Sequence, residues 1–164
     1  NNKLHNYKLM KKIILIIFVL TLLNNCGFKI AEKKTLKGYF ISEIDTYGEG
    51  RINYKIKNLL NAKSTNNAKK NLKITLNTNK EKKIKEKNIN NEITKYQMNI
   101  ATKVNYENIS QKLSGDFTIN VSGEYIVVEK HISTINNEKK LQKNLANEIA
   151  DKIIEELSNK LNDL

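Results

Sequence analysis

Hydrophobic and polar residues alternate over three stretches in the middle of the chain. In the first stretch, Leu72, Ile74 and Leu76 alternate with polar residues, and Ile84 remains in phase with them. The other two stretches place on one face Tyr96, Met98, Ile100, Thr102, Val104 and Tyr106, and then Phe117, Ile119, Val121, Tyr125 and Val127. A period of two is typical of a strand with one buried face. We therefore predict three strands joined by turns near residues 88–91 and 108–112, with a β-bulge at Gly123.

A longer period indicates two amphipathic helices. Ile52, Ile56 and Leu60 share one helical face, which predicts a helix over residues 51–63. Near the C-terminus, six apolar residues recur at every fourth position: Leu141, Leu145, Ile149, Ile153, Leu157 and Leu161. This stripe predicts a core-facing helix from about Asn137 to Leu161, with Asn136 or Asn137 as its N-cap.

A further strand is predicted over residues 36–44, where Phe40, Ile41 and Ile44 are apolar, and a glycine-containing turn over residues 45–50 follows it. The predicted order is therefore β-α-β-β-β-α. One face of the sheet must be covered, and two amphipathic helices are available to cover it. We predict an α+β fold, a two-layer sandwich in which a four-stranded, mainly antiparallel sheet carries both helices on one face.

The N-terminal region has the pattern of a secretory signal peptide. Met10 is followed by two lysines and by an apolar run over residues 13–23. This run is shorter than the roughly 20 apolar residues of a transmembrane helix, so a cleaved signal is favoured over an uncleaved anchor. Removal of the segment before Cys26 would take away four lysines and no acid, and would lower the net charge from +12 to +8.

The residues around Cys26 resemble a lipobox, the signal for attachment of a diacylglyceryl group to a cysteine thiol and for cleavage just before it. Leu23 and Gly27 fit this pattern, whereas Asn24 and Asn25 stand where small residues are usual. The predicted organisation is a signal peptide over residues 1–25 with its true start at Met10, a lipidated tether over 26–35 and a single α+β domain over 36–164. A covalent lipid on Cys26 would anchor the chain to a membrane.

Lysine and asparagine are abundant along the whole chain, which contains one arginine and neither proline nor tryptophan. A basic surface attracts nucleic acid, anionic lipid or phosphorylated glycolipid, but the same composition is typical of an AT-rich genome. Nucleic acid is disfavoured as a partner, because a secreted chain seldom meets it and Tyr96 and Tyr106 are in phase with core positions. The densest basic segment is a lysine hairpin made of Lys80, Lys82, Lys83, Lys85 and Lys87.

The chain lacks the residue patterns of the common catalytic and metal sites. Its one cysteine allows neither an internal disulfide nor a multi-cysteine metal site. His131 is the only histidine after the signal segment, and no nucleophile elbow or HExxH motif is present. We therefore expect no enzymatic activity, no metal and no cofactor other than the covalent lipid.

The segment Cys26-Gly27-Phe28, followed by Arg51 and by Asn58-Leu59-Leu60 on a short helix, resembles the lipopolysaccharide-assembly lipoproteins of the outer membrane (LptE-like). The order of elements agrees along the mature chain. This resemblance implies a lipid-anchored protein on the periplasmic side of the outer membrane of a Gram-negative bacterium. It further implies that the protein plugs and stabilises a β-barrel partner and contacts lipopolysaccharide in transit.

The lysine hairpin is the candidate surface for lipopolysaccharide phosphates, which form charge-assisted hydrogen bonds with basic side chains. A solvated hairpin without a ligand is the alternative interpretation of the same residues. At the level of the whole protein, the alternative is a structural or ligand-binding periplasmic lipoprotein with no role in lipopolysaccharide assembly.

Overall fold

The computed structural model describes residues 36, 38–64, 68 and 70–162, which lie within one compact unit. The elements follow one another as β1 (Tyr39–Gly48), α1 (Gly50–Lys63), β2 (Lys70–Lys87), β3 (Ile93–Asn108), β4 (Leu113–Ile126) and α2 (His131–Asn162).

The strands form one sheet in the order β1-β2-β3-β4. β1 runs parallel to β2, whereas β2 and β3, and β3 and β4, are antiparallel neighbours. Parallel strands need a crossover connection, which α1 supplies, while short turns suffice for the antiparallel pairs. The predicted α+β fold with a mainly antiparallel sheet is therefore confirmed.

Both helices pack on the same face of the sheet and against each other. α1 buries Ile52, Ile56 and Leu60, and α2 buries the predicted stripe from Leu145 to Leu161. Below them lie the apolar faces of the strands. Thr78 and Thr102 are polar members of this core, and their hydroxyl oxygens lie 3.0 Å apart across β2 and β3. This hydrogen bond satisfies both buried hydroxyls.

The first strand differs from the prediction in its bounds. β1 continues to Gly48 instead of ending at Ile44, so that only Glu49 separates it from α1. Residues 43–48 pair in parallel with residues 73–78, and this non-local pairing outweighs the local preference for a turn. Gly48 ends the strand with a φ of +86°, a conformation outside the extended region. Glycine suits this position because it tolerates positive φ and because an added Cβ would overlap the carbonyl oxygen of Thr78.

The predicted bulge at Gly123 is wrong. The register of β3 and β4 runs without a shift past this residue. The glycine instead allows α2 to approach the sheet, because an added Cβ would lie 2.6 Å from Leu141 Cδ1.

The predicted start of α2 is also wrong, because the helix begins at His131. Its first turn buries no apolar side chain and is held by Thr134, whose Oγ1 accepts from the amide of Val128 at 3.0 Å and donates to its carbonyl at 3.1 Å. Asn137 lies inside the helix, where its Nδ2 donates to the carbonyl of Ile126. None of the helices in the described part of the chain has the length and apolar composition needed to cross a membrane.

Candidate functional site

The predicted lipid attachment site, Cys26, lies outside the described residues, together with the predicted signal peptide and most of the tether. Lipidation therefore stays a prediction. The described residues contain two groups of basic side chains. One is the lysine hairpin, which the sequence predicted, and the other lies between the helices.

The lysine hairpin does not form one continuous basic surface. Lys80 and Lys82 lie on the helix-covered side of β2, where they pair with Glu49 at 3.4 Å and Glu138 at 3.3 Å. The remaining lysines have other partners: Lys83 pairs with Glu81, Lys85 pairs with Glu124, and Lys87 donates to Asn91 Oδ1. The strand alternation thus distributes the predicted set over two faces, and nearby acids offset much of its charge.

Lys82 belongs to a cluster that joins the sheet to the first turns of α2. Its Nζ lies 4.0 Å from the centre of the Tyr96 ring and 5.3 Å from that of Tyr125. Glu138 Oε2 accepts from the hydroxyl of Tyr125 at 2.9 Å. The two tyrosine rings stack with their centroids 5.6 Å apart. A cation over aromatic faces, bonded to a carboxylate on the opposing helix, fixes the position of α2 on the strands.

The electrostatics of this cluster favour its charged form. Burial raises the pKa of Glu138, but hydrogen bonds from Tyr125 and Lys82 outweigh burial and hold the pKa below its ordinary value of 4.5. Burial lowers the pKa of Lys82, but hydrogen bonds with Tyr125 and Glu138 leave it above 10.5. Burial raises the pKa of Tyr125. The carboxylate and the ammonium therefore both remain charged at neutral pH, so the arrangement serves to hold the helix on the sheet.

A second basic surface lies in a cleft of about 450 Å³ between α1 and α2. Arg51 and Lys55 come from the first turns of α1, Lys139 comes from α2, and the exposed ring of Tyr54 forms an apolar wall. Within the described part of the chain, none of these three cations forms an ion pair. We refer to this surface as the basic cleft.

The sequence analysis did not predict the basic cleft, because α1 and α2 are far apart along the chain. A local signal was nevertheless present. Arg51 and Lys55 are one helical turn apart, and the first turn of α1 carries no acid. The position of Lys139 beside them follows only from the packing of the two helices.

The other candidate chemistry is sparse. His131 is exposed at the start of α2. Across the described ranges, no three side chains of His, Cys, Asp or Glu come together in a way that could hold a metal ion.

Comparison of the sequence with protein-family profiles and with curated proteins finds no match. Solved structures, in contrast, share the fold. Rare lipoprotein B from Shewanella oneidensis matches with a TM-score of 0.55 and 10% identity, over 74% of this chain and 97% of its own. A candidate lipoprotein from Caulobacter crescentus matches with a TM-score of 0.56 and 19% identity, over 73% of this chain and 90% of its own. Lipoprotein B from Nitrosomonas europaea gives a TM-score of 0.53 and 9% identity, over 83% and 93%.

These three structures have in common that each is described as a lipoprotein and that each aligns along at least nine-tenths of its own length. At such low identity, the likeness establishes a shared fold. No particular binding residue is transferred from them to this chain.

Proposed function

We propose that this protein is an outer-membrane lipoprotein that assists lipopolysaccharide assembly by plugging and stabilising a β-barrel translocon partner. The observation that carries the proposal is the fold, which the chain shares with three lipoproteins over nearly their whole length. The lipobox-like sequence at Cys26 agrees with it independently. The lipid would hold the domain at the periplasmic side of the outer membrane.

The outer face of the sheet supports a role inside a water-lined barrel. Around Lys103, which pairs with Asp116, its central part carries uncharged polar side chains: Thr75, Asn77, Asn79, Asn99, Asn105, Thr118, Asn120 and Ser122. Such a face is well solvated, and it can exchange water for hydrogen bonds to the polar lumen of a partner. A sheet backed by two helices also provides the rigidity that a plug needs.

The basic cleft is a better surface for lipopolysaccharide phosphates than the lysine hairpin. Its three cations have no acidic partner among the described residues, so a phosphate need not displace an existing ion pair. Tyr54 adds an apolar wall, which suits a ligand that carries both phosphates and acyl chains.

Co-purification from membranes tests the proposal. The full chain, tagged at its C-terminus, is expected to retain a large outer-membrane β-barrel and to carry a lipid on Cys26 by mass spectrometry. The Cys26→Ser variant is the control, since it retains the described domain but lacks the thiol. It is expected to leave the membrane and to recover less of the barrel.

Depletion of the protein gives the second measurement. Surface lipopolysaccharide and barrel levels are both expected to fall. Unchanged levels would contradict the assembly role and would favour the alternative, a structural or ligand-binding periplasmic lipoprotein. An intact signal segment or an unmodified Cys26 would contradict the anchoring step alone.

A further inference from the structure

The two edge strands of the sheet differ in how their backbone groups are covered. On β1, Ser64 Oγ accepts from the amide of Ile41 at 3.0 Å, Lys57 Nζ donates to the carbonyl of Ile44 at 3.0 Å, and Asn53 Nδ2 donates to that of Tyr47 at 2.7 Å. A register shift near Ile41 also bends the strand. Side-chain caps and bulges are the usual means by which an edge is closed to further pairing.

β4 lacks these features. Its register with β3 is unbroken from Leu113 to Ile126, and the strand contains neither lysine nor proline. In the described part of the chain, the only side chain that bonds to its backbone is Asn137, at the final residue, Ile126. A long, regular strand with an open edge is a template for another strand.

A groove runs beside this edge. It has a volume of about 320 Å³ and lies between the end of β4 and α2, where Ile126 and Leu141 provide apolar surface and Asn137, Lys140 and Asn144 provide polar surface. Ile126 is 54% exposed. A strand edge beside a helix offers an incoming peptide main-chain hydrogen bonds on one side and a site for alternate side chains on the other.

The charges along the edge indicate what kind of strand fits. On the outer face of β4, the acidic residues are Asp116, which lies 3.6 Å from Lys103, and Glu124, which lies 3.4 Å from Lys85 and 3.9 Å from Lys95. On that of β1 they are Glu43 and Asp45, which both pair with Lys73. Stacking of β4 against β1 of a second copy would therefore bring acids together. Pairing of two β4 strands centred on Asn120 would place Asp116 opposite Glu124. Like charges across a strand pair are destabilising. The existing ion pairs of Asp116 and Glu124 are exposed and therefore weak, so basic residues of an incoming strand can share these carboxylates, and such a strand is favoured over a second copy in either arrangement.

We propose that β4 is a docking edge that accepts an extended segment of a partner polypeptide, with apolar side chains toward the α2 groove and basic side chains toward Asp116 and Glu124. This inference deepens the proposed function and rests on it for the partner's identity, because the segment would belong to the protein that encloses the domain. The pairing itself depends only on the geometry of β4 and α2.

The experiment uses the purified full chain and a short synthetic peptide that alternates valine and lysine. Amide hydrogen exchange followed by NMR is expected to show slower exchange in β4 when the peptide is present, and no change in β1. The matched probe has the same side chains but N-methyl groups on alternate amides along its pairing edge. It is expected to bind at least about tenfold more weakly, because it cannot donate those main-chain hydrogen bonds.

Charge reversal provides the matched protein variants. The double variant Asp116→Lys/Glu124→Lys is expected to bind a valine–glutamate peptide in preference to the valine–lysine peptide. The pair Glu43→Lys with Asp45→Lys makes the same change on β1 and is expected to leave peptide binding unaltered. Circular dichroism verifies that both variants are folded.

The inference is overturned if the lysine peptide fails to protect β4, or if the N-methylated peptide binds equally well. Those outcomes leave co-purification of the barrel, and with it the proposed function, unaffected. Conversely, a chain that binds the peptide at β4 but recovers no barrel from membranes would contradict the proposed function while retaining the docking edge.

Discussion

Three glycines allow close approaches that differ in what stands opposite them. At Gly48 an added Cβ would meet the backbone of Thr78, and φ is +86°. At Gly115 it would lie 2.7 Å from the hydroxyl and 2.9 Å from Cζ of the buried Tyr106. At Gly123 the neighbour is the end of the Leu141 side chain, which is only partly buried. Backbone cannot move aside, a buried ring moves with difficulty, and a flexible leucine moves easily.

Alanine at these three positions is therefore expected to destabilise the protein in the order Gly48, Gly115, Gly123. Gly48→Ala should lower the free energy of unfolding by more than about 2 kcal/mol because it combines overlap with positive φ. Gly115→Ala should cost about 1–3 kcal/mol, and Gly123→Ala should remain within about 1 kcal/mol. Chemical denaturation of the three variants measures the order, and an equal effect at Gly123 and Gly48 would contradict it.

Glu138 gives the protein a pH dependence of known sign. Its pKa is lowered in the folded state from 4.5, so its contribution to stability is complete above that value and is lost as pH falls through the folded pKa. Glu138→Gln removes this contribution. We expect the variant to be less stable than the wild type by about 1–2 kcal/mol at neutral pH, and the difference to shrink below pH 4.5. Unfolding free energies measured from neutral to acidic pH provide the check.

Two lysines on opposite faces of β2 provide the control for this cluster. Lys82→Met removes the lysine partner of Glu138. Lys83→Met removes a lysine whose side chain is 57% exposed and which, among the described residues, pairs with Glu81 alone. The first variant should be clearly less stable than the second, because exposed ion pairs contribute little. Equal stabilities would show that the cluster does not hold α2 on the sheet.

At the scale of elements, α1 acts as a cover for β1 as well as a crossover. Asn53 is 1% exposed, and it provides the hydrogen bond to the carbonyl of Tyr47. Asn53→Ala leaves that carbonyl without this donor, and we expect a loss of about 1–3 kcal/mol in the free energy of unfolding. Asn61 is exposed on the same helix, and Asn61→Ala should change stability by less than about 0.5 kcal/mol. Thermal or urea unfolding of the two variants distinguishes loss of the Asn53 hydrogen bond from a general effect of replacing asparagine in this helix.

The elements differ in how far the sequence could predict them. The three alternating stretches, which begin at Leu72, Tyr96 and Phe117, and the stripe that begins at Leu141 report burial directly. They predicted β2, β3, β4 and the buried part of α2. The extension of β1 to Gly48 depends on parallel pairing with β2, which no local pattern encodes. The first turn of α2 buries no apolar side chain, because Ile132 is exposed, and Thr134 holds the turn by hydrogen bonds that no periodic pattern reports. At Gly123, a glycine that accommodates a helix cannot be distinguished in sequence from one that forms a bulge.

The candidate sites show the same limit. The lysine hairpin is contiguous in sequence, but alternation separates Lys82 from Lys83 on opposite faces. The basic cleft has the reverse character, since Arg51 and Lys139 are distant in sequence and adjacent in space. Charge density along a chain thus does not indicate which basic side chains share a surface, because that grouping depends on the fold.

For the whole molecule, the question is whether its net charge or the position of its unpaired cations governs anion binding. The sequence has 29 basic residues against 17 acidic ones, yet many described lysines are paired across strands, and Lys63 pairs with Asp151 between the helices. A paired lysine binds a phosphate only by giving up or sharing its carboxylate. If position governs binding, removal of two cleft charges must weaken it more than removal of two hairpin charges.

The test compares two double variants. The cleft variant combines Arg51→Gln and Lys139→Gln, and the hairpin variant combines Lys83→Gln and Lys87→Gln. Both variants lose the same charge, so a general attraction would weaken binding of lipopolysaccharide to the same extent in each. We expect the cleft variant of the full chain to bind about tenfold more weakly, equivalent to about 1.4 kcal/mol, and the hairpin variant to change little. The difference between them should persist at higher salt, because screening reduces long-range attraction more than direct contacts within a cleft. Equal weakening that disappears with added salt would assign the binding to net charge, and the composition of the chain alone would then account for it.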